Sequence, residues 1–216
     1  MKKYIFMMCM LTCIQLQAQK LSLGIEGGGN VTTLLTSSKY SNQSPTKYGP
    51  WLGYYIGVNG KYKLSDKGGL KFFIQGEKRS VKTVGGIQLY DAGGFPLNKI
   101  DLIISNTYLN VGALYVFSFS KIIELGVGIN NHILLSSTSY SSFLKNLTYP
   151  SHSRFKNEYF KSYLVSIPVQ LIINIDRFAI CPSLDFGLMN RIGNSGGVYK
   201  QFEYVAQLGI SYTLKK

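Results

Sequence analysis

The sequence has few charged residues and few of the side chains that bind metals. Charged residues make up 15% of its 216 positions, against about 25% in an ordinary soluble domain. Two histidines and three cysteines argue against a structural zinc site, and we expect no cofactor. After residue 20 no apolar run approaches the roughly 18 residues of a helical membrane span. The chain is instead rich in glycine, with 23, and in tyrosine and phenylalanine, with 16 and 12.

The first 18 residues are predicted to be a secretory signal peptide. Lys2 and Lys3 give a basic start, residues 4–14 form an apolar core, and Ala18 is the small residue of a cleavage site. The apolar core is too short to span a bilayer. We therefore expect the mature protein to be a single domain that covers residues 19–216.

Export decides how the cysteines and the basic charge are interpreted. Cys9 and Cys13 leave with the signal peptide, so Cys181 remains alone and no intrachain disulfide can form. The formal net charge of +13 falls to +11 without the two lysines of the signal. For an exported protein with this basic charge, the expected partners are outer-membrane lipid and lipopolysaccharide, and not nucleic acid. The same charge also serves to keep exposed loops soluble, and the sequence favours neither interpretation.

From residue 21 onward, apolar and polar residues alternate with a period of two. In the stretch SYLVSIPVQLIINI, residues 162–175, the alternate positions from Tyr163 are all apolar, whereas the other set includes Ser166, Gln170 and Asn174. Successive side chains of a strand point to opposite sides, so this stretch predicts a strand with one apolar and one polar face. The same split is found in eight segments, which are 21–33, 51–64, 70–81, 102–118, 122–135, 162–175, 178–190 and 202–214.

Eight such strands fit two kinds of β-barrel. In a soluble calyx the apolar face points inward, whereas in a membrane barrel it points at lipid. The connections favour the membrane barrel, because outer-membrane barrels have short periplasmic turns and long external loops. The short connections are 65–69, 118–121 and 176–177, and the long ones are roughly 34–50, 82–101, 136–161 and 191–201. With an even number of strands, both termini are expected in the periplasm.

Aromatic residues on the apolar face also favour the membrane barrel. They form two groups about eight residues apart, or roughly 20 Å of membrane height at an ordinary strand rise and tilt. The group near the long loops is Tyr54, Tyr163, Phe186 and Tyr204, and the group near the short turns is Tyr62, Phe117, Phe178 and Tyr212. The predicted fold is therefore all-β, an eight-stranded antiparallel up-and-down transmembrane β-barrel with two aromatic girdles.

The polar faces place nine charged residues inside the predicted barrel. An eight-stranded barrel is only wide enough for its own side chains, and buried charges need partners. A paired network that plugs the interior is therefore expected, with a narrow ion pathway as the alternative. The residues are Glu26, Lys61, Lys63, Lys71, Glu77, Arg79, Glu124, Asp185 and Glu203.

One histidine raises the question of catalysis. His132 is expected near the outer rim, close to Ser136 and Ser137, with Asp101 on the adjacent strand. Some eight-stranded barrels are lipid-modifying enzymes with a serine and a histidine at that rim, but a triad also needs a positioned acid. We expect a hydrogen-bonded histidine, no catalytic residue and no bound metal.

Glycines and prolines indicate where the strands of the barrel wall are expected to curve or to pair irregularly. The GIEGGGN stretch at 24–30 lacks the Lys-Ser/Thr of a phosphate loop and no helix follows it. Its glycines are expected to relieve crowding or to sharpen strand curvature. Pro168 and Pro182 lie inside two predicted strands of a wall that has no free edge. We therefore expect a bulge or an irregular patch in that hairpin.

Four stretches of sequence carry a resemblance to a known family. They are LSLGIEGGGNVTTL at 21–34, YLNVGALYVFSFSKIIELGVGINNHILL at 108–135, DFGLMNRIG at 185–193 and LGISYTLKK at 208–216. Together with a signal that ends near QAQ, they resemble the PorT-like outer-membrane β-barrel family of Gram-negative bacteria over almost all of 19–216. The resemblance implies an outer-membrane barrel and no particular activity. Leu214 departs from the pattern, because outer-membrane barrels often end in an aromatic residue.

The longest loop is the expected partner site. Residues 136–161 mix aromatic and cationic side chains, as interfaces and glycan contacts do, although a variable surface loop needs no partner. We predict a monomeric structural or interaction barrel in the outer membrane, whose long loops bind an unknown protein, glycan or lipopolysaccharide. The alternatives are a lipid-modifying enzyme, a narrow channel and a soluble lipid-binding calyx.

Overall fold

The computed structural model describes residues 21–38, 47–85, 87–90, 96–100, 102–141, 161–192 and 199–215. The predicted signal peptide, residues 1–18, lies outside this part of the chain. Within it, no helix is long and apolar enough to cross a bilayer.

The described chain folds into ten β-strands, as expected where apolar and polar residues alternate. Eight of them close into a barrel, and β4 and β5 form a separate two-stranded sheet. The strands are β1 (Leu21–Ser38), β2 (Tyr48–Lys63), β3 (Gly68–Thr83), β4 (Ile87–Tyr90), β5 (Pro96–Ile100), β6 (Leu102–Ser118), β7 (Ile123–Ser141), β8 (Tyr163–Ile175), β9 (Phe178–Gly187) and β10 (Tyr199–Lys215).

Strand order around the barrel is nearly the order of the sequence. It runs β1-β10-β9-β8-β7-β6-β3-β2, and each pairing is antiparallel. Strand β3 pairs with β6 because β4 and β5 lie in the connection between them. The predicted eight-stranded antiparallel barrel is confirmed. The β4–β5 hairpin is an addition, since strands of four and five residues are too short for alternation to reveal.

The exterior of the barrel is apolar and the interior is polar. On β8, Ile167 is 37% exposed, whereas Gln170 is only 6% exposed. The same alternation runs along β1, where Ile25 faces outward and Glu26 is buried. A soluble calyx would have the opposite arrangement, so that alternative is wrong. Exposed apolar side chains around the whole wall suit a lipid solvent, as in transmembrane barrels.

The barrel has two unlike ends. At one end, which we call the turn end, the connections are only 64–67, 119–122 and 176–177. Asp176 there has a φ of 54°, in the left-handed region that two-residue hairpin turns use. At the other end, which we call the loop end, the connections are 39–47, 84–101, 142–162 and 188–198. Short and long connections thus alternate as the sequence predicts.

Several strands are longer than a bilayer requires. A membrane-spanning strand needs about 9–11 residues, whereas β7 has 19. Ile133 of β7 pairs with Tyr163 of the predicted loop-end girdle. Residues 134–141 therefore continue past the girdle, and the barrel wall projects beyond the apolar band at the loop end.

The two prolines interrupt the strand pairing of the barrel wall without shifting its register. Strands β8 and β9 keep one register, but their pairing is interrupted between Gln170↔Ser183 and Ile173↔Ile180, beside Pro182. The β7–β8 pairing is likewise interrupted between Val127↔Val169 and Asn130↔Ser166, beside Pro168. Of the two expected alternatives, the bulge is therefore wrong and the irregular patch is confirmed. Pro168 lies opposite Asp185, and Pro182 lies opposite Leu208. Each proline removes one N–H donor from the ladder but does not force an extra residue into it. Register shifts lie elsewhere, at Leu23/Gly24, Thr32/Leu34, Pro50/Tyr54 and Thr107/Tyr108.

Two apolar clusters occupy parts of the interior. The cluster in the turn half consists of Phe73, Leu114, Val116, Ile172, Ala179 and Cys181. The cluster at the loop end consists of Leu34, Val81 and Ile104, with Tyr48 and Leu102 packed against it. The buried polar and charged residues fill the space between and beside these clusters. The interior is therefore a packed core with a polar centre.

Candidate functional site in the barrel interior

Arg79 is the centre of the interior polar network. Its guanidinium donates to Glu77 at 2.7 Å, to Asp185 at 3.1 Å and to Glu203 at 3.1 Å. All four side chains are buried. Arg79 lies on β3 and Asp185 on β9, and these strands are directly opposite in the ring of eight. The side chain of Arg79 thus crosses the whole lumen.

His132 lies beside this cluster and is fully buried, at 1% exposure. Its Nδ1 is 2.8 Å from Asn110 Oδ1, and its Nε2 is 2.6 Å from Ser166 Oγ. Asp185 Oδ2 also lies on the Nε2 side, at 3.4 Å. In a catalytic triad the serine and the acid occupy opposite nitrogens of the imidazole. Here both lie at the same nitrogen, so the group does not have the geometry of a triad.

The rim arrangement that the sequence suggests for His132 does not form. Ser137 hydrogen-bonds to the side-chain amide of Asn106 at 2.7 Å, and Asp101 lies outside the described residues. Strand β7 continues to Ser141, which leaves His132 deep within the wall. The prediction that this histidine lies at the rim is therefore wrong.

A second ion pair lies between Arg79 and the turn end. Lys71 Nζ is 2.5 Å from Glu26 Oε2 and donates to Gln170 Oε1 at 2.7 Å. Gln170 Nε2 in turn donates to Glu26 Oε1 at 2.9 Å. These three buried residues come from β3, β1 and β8 and form a closed ring of hydrogen bonds across the lumen.

A third ion pair closes the lumen at the turn end. One residue predicted for the interior network, Lys63, lies outside it. Lys61 Nζ is 2.5 Å from Glu124 Oε1, and Ser118 Oγ donates to the same carboxylate at 3.1 Å. Lys63 does not join the interior network. Its side chain is 60% exposed and pairs with Asp66 at 2.6 Å. The Lys63 ammonium holds the pKa of the Asp66 carboxyl below its usual value through this hydrogen bond.

Arg191 is an interior cation at the loop end that the sequence did not predict. It is 2% exposed, and its Nη1 lies 3.6 Å from Glu203 Oε1. Its backbone N–H donates to Gln201 O at 2.9 Å, which fixes the chain after β9 against β10. Strand β9 ends at Gly187, so Arg191 has no strand periodicity. The only signal for it is its closeness in sequence to a predicted strand.

Two tyrosines also lie inside and were not predicted there. Tyr55 is 2% exposed, and its hydroxyl donates to Glu26 at 3.4 Å. Tyr108 is 1% exposed, and the guanidinium of Arg79 lies 5.3 Å from the centre of its ring. The strict alternation of β2 and β6 places both positions inward, and this is the signal that would have found them.

Little free volume remains in the lumen. The cavity at mid-height has a volume of about 20 Å³ and is lined by Glu26, Lys71, Phe73, Gln75, Leu114, Asn130, Pro168, Gln170, Ser183, Asp185 and Gln207. A space of that size holds about one water molecule. The described side chains therefore leave no room at this height for a hydrated ion.

The predicted girdle residues lie on the exterior at two heights. Near the loop end, Tyr54, Tyr163 and Phe186 are 61%, 47% and 40% exposed, and Tyr204 packs edge-on against Phe186 with 6.1 Å between the ring centres. Near the turn end, Phe117 and Phe178 are 49% and 54% exposed, Tyr62 is half-buried, and Tyr212 lies 5.0 Å from the ring of Phe178. A hydrogen bond to Tyr212 raises the pKa of Arg177 in the adjoining turn.

Most of the expected partner loop lies outside the described residues, and the described residues contain no group that could hold a metal ion. Of the expected partner loop, 136–161, the structure describes residues 136–141 and Lys161, and the rest lies outside the described residues. Among the described residues, no three histidine, cysteine, aspartate or glutamate side chains are grouped to hold a metal ion.

Comparison with known proteins identifies no relative by sequence, since no family model and no curated protein matches the chain. Similar solved structures include Neisserial surface protein A, at 11% identity and a TM-score of 0.49, covering 89% of this chain and 97% of that one. Ail of Yersinia pestis is 14% identical, with a TM-score of 0.38, and the match covers 88% of this chain and 98% of Ail. OprG from Pseudomonas aeruginosa is 14% identical, with a TM-score of 0.38, and the match covers 90% of this chain and 96% of OprG.

Proposed function

We propose that this chain is a small outer-membrane β-barrel of structural or interaction type, with a closed lumen and external loops that contact a partner. The observation that carries the proposal is one combination within a single barrel. Its exterior is apolar on all sides, and its interior is crossed by Arg79 and filled by paired charges. Such a barrel is stable in a membrane and has no path for a solute.

The apolar exterior supports a place in a bilayer. A closed barrel satisfies its backbone hydrogen bonds internally, which a membrane-spanning chain must do. The predicted signal peptide and the resemblance to PorT-like barrels point to the outer membrane of a Gram-negative bacterium. Outer-membrane barrels keep their short turns in the periplasm, so the turn end and both termini are assigned there. Outer-membrane lipid and lipopolysaccharide are then the nearest neighbours of the wall.

The packed interior supports a protein that neither conducts nor catalyses. Three tiers of ion pairs cross the lumen, at Lys61–Glu124, at Lys71–Glu26 and at Arg79. Breaking any one of them leaves a buried charge without its partner, which is strongly unfavourable. His132 is buried with its serine and acid at one nitrogen, so no substrate reaches it in a reactive arrangement.

The loop end supports an interaction role for a monomeric barrel. The wall projects past the aromatic girdle there, and the long connections emerge from its rim. The 136–161 connection supplies aromatic and cationic residues in its sequence. A protein or a glycan on the cell surface is the class of partner that we assign to it.

The proposal is tested by conductance, fractionation and crosslinking. The purified protein in planar bilayers is expected to give no discrete current steps, with a general porin in the same apparatus as the positive control. Carbonate extraction is expected to leave the protein in the outer-membrane fraction. Replacing residues 142–160 by a short Gly-Ser turn should remove the partner captured by crosslinking in living cells without lowering the amount of folded barrel. Regular current steps, or release by carbonate, would contradict the proposal.

A further inference from the structure

The turn end of the barrel opens into a cavity that the interior network does not fill. Its volume is about 690 Å³, and it is bounded by β1, by the β2–β3 turn and by the β6–β7 turn. Small-molecule sites commonly have roughly 300–1,000 Å³. We call this cavity the turn-end vestibule. Its inner side is closed by the Lys61–Glu124 ion pair.

The side chains that line the turn-end vestibule carry more positive than negative charge. Its charged lining residues are Lys61, Lys63, Lys67, Lys121, Asp66 and Glu124. Both carboxylates are already paired, Asp66 with Lys63 at 2.6 Å and Glu124 with Lys61 at 2.5 Å. Neither Lys67 nor Lys121 has an acidic partner among the described residues. Two ammonium groups are therefore available to a negatively charged ligand.

The two turns that carry these lysines are held together by their backbones. Ser118 N donates to Lys67 O at 2.9 Å and joins the β6–β7 turn to the β2–β3 turn. Inside the turns, Ser65 N donates to Gly68 O at 2.9 Å and Phe119 N donates to Ile123 O at 3.0 Å. A ligand that binds between the turns therefore finds walls that are already ordered, which lowers the entropy lost on binding.

Two serine hydroxyls of the same turns add neutral donors. Ser65 Oγ accepts the N–H of Lys67 at 3.3 Å, and Ser120 Oγ accepts the N–H of Ile123 at 3.0 Å. These bonds fix the hydroxyl oxygens and leave each O–H proton free to donate. No described group accepts either proton, and both serines line the turn-end vestibule.

We propose that the turn-end vestibule binds a phosphate group, as a monoester or a diester, through Lys67 and Lys121 with help from Ser65 and Ser120. A phosphate has several acceptor oxygens and suits separate point donors such as lysine ammonium groups. The group belongs either to a soluble phosphorylated compound or to an anionic lipid headgroup. Phe119 at the rim is 71% exposed, which gives an acyl chain an apolar surface beside the lysines.

Binding is tested on the purified full barrel with two probes that distinguish these sources. Glycerol 3-phosphate is titrated calorimetrically at low ionic strength, and phosphatidylglycerol retention is compared with phosphatidylcholine retention by native mass spectrometry. Wild-type protein is expected to bind at least one probe saturably. The double variant Lys67→Gln/Lys121→Gln should weaken that binding by about tenfold or more, because it removes two nearby charges. The matched control Lys200→Gln removes an exposed lysine at the loop end and should leave binding unchanged.

The outcomes separate the sources and can overturn the proposal. Binding of glycerol 3-phosphate supports a soluble ligand, whereas selective retention of phosphatidylglycerol alone supports a lipid headgroup. A smaller loss in Ser65→Ala/Ser120→Ala would agree with the hydroxyls as additional donors. All four replaced side chains lie in surface turns, and circular dichroism checks that the barrel still folds. The proposal is overturned if neither probe binds saturably, or if Lys67→Gln/Lys121→Gln binds as tightly as the wild type.

Discussion

Arg79 Nη2 lies 3.1 Å from Asp185 Oδ2 although their strands, β3 and β9, stand opposite one another in the barrel. The two residues are 106 positions apart in the sequence. Only a closed barrel of eight strands brings them together, because its interior is narrow enough for one side chain to cross. This contact therefore depends on closure of the barrel, and it also removes the space that a channel would need.

Removing the cation of Arg79 should strongly destabilise the barrel. In Arg79→Leu, the carboxylates of Glu77, Asp185 and Glu203 remain buried without their common partner. Removing one partner of a buried ion pair costs about 3–5 kcal/mol. We therefore expect the free energy of unfolding, measured by urea titration in lipid vesicles, to fall by about that amount. The matched control is Lys78→Gln, which removes a charge from the next residue on the outer face of β3. If both variants lose the same free energy of unfolding, the interior network contributes little to the stability of the barrel.

Two adjacent glycines of β1 should respond oppositely to alanine. A Cβ on Gly28 would collide with the backbone of β10, where the Leu208 carbonyl and the Cα of Gly209 lie closest. A Cβ on Gly29 would meet only the Gly53 carbonyl, at 3.9 Å. We expect Gly28→Ala to lower the free energy of unfolding by about 1–3 kcal/mol.

The control Gly29→Ala should leave stability unchanged or raise it by up to about 1 kcal/mol, because alanine restricts the unfolded chain. Urea titration of both variants in the same lipid decides the matter. If the two substitutions have the same effect, close approach of β1 and β10 is not what selects glycine at position 28.

The barrel and its two faces were predictable because one physical rule governs every strand. Alternation of side chains fixes which residues face lipid and which face inward, as Ile167 and Gln170 illustrate. The same rule places Glu26, Lys71 and Arg79 inside. It does not require an alignment or a template, since each strand contains the signal in its own residues.

Contacts across the lumen could not be predicted in the same way. The partner of an inward residue depends on the stagger between strands, and alternation does not contain that stagger. His132 therefore meets Ser166 of β8 and not the serines that follow it on β7. Lys63 lies on the predicted face, but at the last residue of β2 its long side chain reaches Asp66 outside. Arg191 lies beyond the end of β9, where no periodic signal exists.

A lysine in the middle of the outer wall should cost more than one near the rim. Val58 is 56% exposed and lies four residues from each of the girdle positions Tyr54 and Tyr62 on β2. Leu52 is 75% exposed and lies on the loop side of Tyr54. On the lipid face of a barrel, lysine costs about 2–4 kcal/mol at the bilayer midplane and about 0–1 near the interface.

We therefore expect Val58→Lys to lower the free energy of unfolding in lipid vesicles by the larger amount, and Leu52→Lys by the smaller. Measurement of both variants in detergent micelles provides a second comparison, in which the difference should shrink because micelles deform around a charge. A barrel in which Leu52→Lys is the more damaging change would have its apolar band at another height.

The assignment of the loop end to the cell surface can be tested with single cysteines. Cys181 is fully buried, and Cys181→Ala combined with Cys9→Ser and Cys13→Ser gives a background in which only an introduced thiol reacts. Ser37 is exposed at the loop end of β1, and Ser120 is exposed in a turn at the other end. A maleimide on a large polyethylene glycol does not cross the outer membrane, so intact cells should label Ser37→Cys and leave Ser120→Cys unlabelled. Permeabilising the outer membrane should then expose Ser120→Cys to the reagent. The reverse pattern in intact cells would place the short turns outside and invert the barrel.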